Sequence, residues 1–110
     1  MNTSKQIGFH GATVTSFCKH DDIIELELED VLVDDRKSQI LLIIFPALSL
    51  MMDGELSNLP LMAAEDGEVI MLEISENVLS LIIEWNDFSC RKSFTRSHQV
   101  QGGEISISMI

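Results

Sequence analysis

Positive charge is what this chain has least of: seven lysines and arginines stand against eighteen aspartates and glutamates, a formal charge of −11. A surface of that sign repels phosphate backbones and anionic headgroups, so nucleic acid and membrane are not expected as partners. Cysteine is also scarce. Cys18 and Cys90 are the two present, and a reduced thiol is the expected state of each. No CxxC, HxxxH or HExxH spacing links them with His10, His20 and His98, and there is no GxSxG elbow for a nucleophilic serine. The expectation is therefore no enzyme, no cofactor and no metal. Long apolar runs are missing too. Ile40 to Met52 covers thirteen residues broken by Pro46 and Ser49, whereas a membrane-spanning helix needs roughly 20. The opening "MNTSKQIGFHGA" has no apolar leader core, and a soluble, cytoplasmic protein is expected.

What is there is alternation. With 110 residues, 45% of them hydrophobic, the chain has material for a core without staples, and a single domain over residues 1–110 is expected. "IIELELEDVLV" places Ile24, Leu26 and Leu28 on one face and Glu25, Glu27 and Glu29 on the other, a period of two that belongs to a strand. Val31 and Val33 continue it out of phase, which predicts a bulge near Glu29 and Asp30. Upstream, Val14, Ser16 and Cys18 alternate with Thr13, Thr15 and Phe17. "QILLIIF" is apolar on both faces and predicts a central strand that Pro46 ends or bends.

Asp53-Gly54, Asp66-Gly67 and Gly102-Gly103 read as turns. "EVIMLEI", "SENV" and "LSLIIEW" read as a hairpin whose second arm aligns Leu79, Leu81, Ile83 and Trp85 on a buried face, with Asn86 and Asp87 in the turn that ends it. "RKSFTRSHQV" and "EISISMI" read as two further strands. The fold class is mainly β: an antiparallel β-sandwich or partly open barrel of about seven short strands, with at most a short helical turn near residues 47–64.

Candidate contact residues follow from charge and phase. Eight carboxylates and no lysine or arginine lie between Asp21 and Asp35. Glu25, Glu27 and Glu29 would stand about 7 Å apart in one row that suits the basic side chains of a partner protein. An extended strand does not converge carboxylates as a calcium loop does. Cys18 and His20, two apart, share a strand face and go no further toward a metal site by spacing alone. Glu84 and Asp87 beside Trp85 carry no glycosidase specificity by themselves. Asp87 and Phe88, just past the apolar face, complete the candidate partner-binding set. Arg91, Lys92 and Arg96 are positioned to offset the acidic strands within the fold.

"FHGATVTSF", followed by a turn and "IELELEDVLVD", with a later "WNDF" near a hairpin, resembles small uncharacterised bacterial β-rich proteins, some grouped with immunity proteins of polymorphic toxin systems. The matching pieces are Phe9, His10 and Ala12, Leu26 through Asp34, and Trp85 through Phe88. Gly11 stands where those proteins usually carry an acidic residue. The resemblance implies a non-catalytic inhibitory binding module that blocks a basic partner. Two other classes compete: a small-ligand-binding or enzymatic β-barrel with a histidine turned inward, and a homodimeric structural module joined through the edge of "EISISMI".

Overall fold

Strand-forming alternation runs almost the whole length of the chain, and the computed structural model, which describes residues 7–56 and 61–110, has eight strands and no helix among them. They are β1 (Ile7–Gly8), β2 (Thr13–His20), β3 (Ile23–Val33), β4 (Arg36–Met52), β5 (Glu55–Leu56), β6 (Asp66–Ser75), β7 (Val78–Asp87) and β8 (Lys92–Met109). The ring order is β3, β2, β6, β7, β8, β4, and β4 pairs back onto β3. Six antiparallel strands therefore close into a barrel, while β1 adds to the end of β3 and β5 to the end of β4 outside the ring. This corrects the expected sandwich or partly open barrel. The strands are not uniformly short either: β4 runs for 17 residues and β8 for 18. With no helix in either of the described segments, none is long and apolar enough to cross a membrane.

Closure is uneven. β3 is paired on both edges over Ile24–Leu28, with β2 on one side and β4 on the other. Between β2 and β6 the ladder is confined to Thr13 opposite Glu68, flanked by bonds from Gly11 N–H to the Val69 carbonyl and from Val69 N–H to the Ala12 carbonyl, both 2.8 Å. The ladder is short because β2 and β6 overlap only near their starts.

The tight turns are made largely by aspartate. Asp34 (φ 49°) with Asp35 (φ 66°) joins β3 to β4, and Asp53 (φ 52°) with Gly54 (φ 83°) joins β4 to β5. Both central residues of a two-residue hairpin loop need positive φ when the turn twist is to match the strands, and Asp tolerates it better than most residues. The expected turn at Asp53-Gly54 is present. The other two are not. Asp66-Gly67 begins β6, and Gly102-Gly103 lies inside β8, so "RKSFTRSHQV" and "EISISMI" form one strand.

Pro46 explains the second of these corrections. It does not end a strand: β4 continues through it, with a cis Phe45–Pro46 peptide and a bulge between Ala47 and Ser49. Phe45 pairs with Glu104 and Ala47 with Gly102, which sets Gly103 against the proline ring. A Cβ on Gly103 would lie 2.6 Å from Pro46 Cδ, and one on Gly102 would meet Ile44 Cγ2 and come within 3.0 Å of the Pro46 carbonyl oxygen. The glycines mark a close approach of two strands, a use of glycine that looks like a turn signal in sequence. Of the stretch 47–64, residues 47–52 are strand, 55–56 form β5 and 61–64 are irregular, with no helical turn among the described residues; 57–60 lie outside them.

The interior is filled by alternate residues from each barrel strand, including Val14, Phe17, Ile24, Leu26, Leu28, Ile40, Leu42, Ile44, Val69, Leu79, Leu81, Ile83, Trp85 and Val100. Leu61 joins them from the segment before β6. Among the bulges that set which side chains point in are one in β3 and one in β2. One, between Leu28 and Val31, puts Asp30 at φ 60° where the sequence predicts an irregularity. The other, between Val14 and Ser16, was not legible: Val14 and Phe17 are both buried although three residues apart, so Cys18 turns to the outside.

Candidate functional site

The β2 bulge and the β2–β3 register together build one side-chain cluster on the outer wall. Cys18 lies directly across the ladder from Glu25, and His20 is two residues further along the same face. Cys18 Sγ is 3.2 Å from His20 Nε2, and a carboxylate oxygen of Glu25 completes a trio whose donor atoms all fall within 4.8 Å of one another. Cys18 and Glu25 are half-buried and His20 is exposed. Lys19 points away by strand alternation, its amine donating to the Asp21 carbonyl at 2.7 Å. Sequence spacing showed Cys18 and His20 on one face; Glu25 comes to them only through cross-strand register.

Glu25, Glu27 and Glu29 do form an outward row along β3 and all three are half-buried. On the β4 side their neighbours are apolar, Ile43 beside Glu25 and Leu41 beside Glu27; on β2 they face Cys18, Ser16 and Thr13. None of the three makes an ion pair with a described residue. Arg96 does not offset them. Its guanidinium stacks over the Phe94 ring at 5.2 Å and donates to Met52 Sδ at 3.2 Å.

Asp87 and Phe88 lie elsewhere. In the six-strand ring β3 and β7 stand opposite each other, so the glutamate row and the β7–β8 connection are on opposite walls. Asp87 is still in the strand, and the connecting turn is 88–91. Its Oδ1 accepts from Ser89 Oγ at 2.7 Å, Ser89 N–H at 3.1 Å and Cys90 N–H at 3.2 Å. Those bonds, the Ser89 hydroxyl foremost, hold its carboxyl below the usual range. Asp87 shapes the turn, and Phe88, its first residue, is 63% exposed. Asn86 bridges sideways to both neighbouring strands, donating to Asp66 on β6 and accepting from Ser93 on β8.

The histidines divide. His10 and His20 are exposed, while His98 is 2% exposed with its ring edge-on to Phe17 at 5.2 Å between centroids. Neither ring nitrogen finds a hydrogen-bond partner among the described residues, and the same holds for Trp85 Nε1. Burial pushes the His98 pKa down to about 4; Asp53 opposes this and Arg96 adds to it. A partly open pocket of about 250 Å³ borders this strand. Met71, Ser80, Ile82, Ser97 and Gln99 line it from the outer face, and the buried Leu81 and His98, opposite to them in phase, border it as well. Both imidazole nitrogens are buried.

Comparison with protein-family models, with curated proteins and with solved structures finds no match.

Proposed function

We propose that this chain is a non-enzymatic protein-binding module that meets a basic partner through its acidic β3 wall, in the manner of an immunity-type inhibitor acting in the cytoplasm. One observation carries this reading. Glu25, Glu27 and Glu29 stand in register on one outward face, interleaved with the apolar Leu41 and Ile43 and without an ion pair among the described residues. Half-buried carboxylates with no internal counter-charge gain most from a partner's arginines and lysines, which bind carboxylates in charge-assisted pairs while the flanking aliphatic side chains lose water. A net charge of −11 would speed such an encounter and make its rate fall with salt.

The test is capture of the products of neighbouring genes at low and high salt, followed by association kinetics. The wild type should bind a basic protein roughly ten times faster at low salt, and the paired change Glu27→Gln with Glu29→Gln should remove most of that advantage. A partner whose association ignores both salt and these substitutions refutes the electrostatic reading.

A second reading has its own observation. β7 pairs with β8 only as far as Gln101, so Glu104–Ser108 pair with β4 alone among the described residues, and Ile107 is 42% exposed there. An open strand edge can pair with its copy in a second chain. Light scattering at high concentration separates the two: a dimer broken by Ser106→Pro supports edge pairing, and a monomer removes it.

A further inference from the structure

We propose that Cys18, His20 and Glu25 form a binding site for a zinc-class divalent metal ion on the outer wall of the barrel. A tetrahedral zinc with a bond of about 2.3 Å to sulfur and about 2.0–2.1 Å to nitrogen holds those two donors roughly 3.6 Å apart. Cys18 Sγ and His20 Nε2 already stand at 3.2 Å, and the Glu25 oxygen lies within 4.8 Å of both. Small side-chain rotations suffice to place the three around one ion.

The scaffold holds these donors without a loop. Cys18 and His20 project from the same face of β2, and the ladder fixes Cys18 against Glu25 on β3. The bulge between Val14 and Ser16 is what turns Cys18 outward; without it, the thiol would follow Val14 into the core. The surroundings favour a cation: Glu27 follows on β3, Asp21 and Asp22 follow His20, and the nearest lysine, Lys19, is turned to the other face and held by the Asp21 carbonyl. One thiolate, one imidazole and one carboxylate suit zinc, cobalt or copper rather than calcium or magnesium, which take oxygen ligands. Three protein ligands leave a fourth position, and the exposure of His20 opens it to solvent, as in zinc sites that exchange a water. Binding converts the Cys18 thiol to a thiolate bonded to the metal, with one proton released to solvent.

The site needs no partner, so it is tested on the isolated, reduced protein with Co²⁺ alone. Addition should produce a near-ultraviolet thiolate-to-cobalt charge-transfer band, visible bands of four-coordinate intensity, and release of about one proton per metal; Zn²⁺ should displace the cobalt and erase the bands. Cys18→Ser should abolish the charge-transfer band while Cys90→Ser keeps it. His20→Ala and Glu25→Gln should each weaken binding by roughly tenfold or more, with circular dichroism confirming that every variant is folded. The proposal is overturned if Co²⁺ gives no thiolate band, if the band survives Cys18→Ser or vanishes with Cys90→Ser, or if removing His20 or Glu25 leaves affinity unchanged. Because the partner reading is tested at Glu27 and Glu29, either idea can fail while the other stands.

Discussion

Gly67 lies directly across the β6–β7 ladder from Trp85, and a Cβ built on Gly67 would stand 2.7 Å from Cζ3 of the indole. The fully buried tryptophan thus occupies space that only a glycine on the facing strand leaves free. Gly67→Ala should force the ring or the strand to shift and cost roughly 1–3 kcal/mol, as overpacking does. Chemical denaturation followed by tryptophan fluorescence checks it, and unchanged stability would mean that the indole has slack the structure does not show.

Gly102 and Gly103 carry the same argument for the approach of β8 to Pro46. Added methyl groups would press on Ile44 and on the Pro46 carbonyl at position 102, and on the Pro46 ring at 103. Gly102→Ala is expected to lower stability at least as much as Gly67→Ala, because one of the atoms it meets is backbone and cannot rotate away. Thermal unfolding of the two variants side by side gives the order.

His98 makes stability depend on pH. Its folded pKa is depressed to about 4 from 6.5, so between those values the unfolded chain binds the proton that the folded chain refuses. Stability then rises with pH across that window and is lost as pH falls through it, by roughly 3 kcal/mol in all for this one group. His98→Leu should flatten this part of the profile, read as denaturation midpoints at pH 7, 5.5 and 4.5. A parallel slope in the variant assigns the acid sensitivity to other groups.

At the β7–β8 turn the two candidate contact residues should separate. Asp87→Ala removes the acceptor for the amides of Ser89 and Cys90, and their hydrogen exchange should quicken while the barrel strands stay protected. Phe88→Ser exposes no core and should leave exchange unchanged. If Asp87→Ala leaves both amides as slow as in the wild type, its side chain does not hold the turn.

Much of the fold was legible. The period of two in "IIELELEDVLV" and in "VLSLIIEW" gave the correct buried faces, Trp85 included, because alternation reports burial directly when one wall faces the core. The bulge at Asp30 showed as a slip in that period. Glycine pairs misled for a physical reason: Gly102 and Gly67 serve close packing rather than chain reversal, and local sequence does not tell the two uses apart. The bulge in β2 was hidden because Thr15 and Ser16 fit either face. The alternation of His98 with Val100 is the one sign of its burial in the sequence.

For the candidate sites the division is sharper. Composition and strand phase alone determined an acidic β protein with a row of outward glutamates, since both are properties of single segments. Whether the sheet closes, that Glu25 meets Cys18 and His20, and that Phe88 stands on the wall opposite the glutamates were decided by tertiary structure. Each of these depends on strand register and ring order, which are set by pairing between segments far apart in the chain and leave no periodic trace in any one of them.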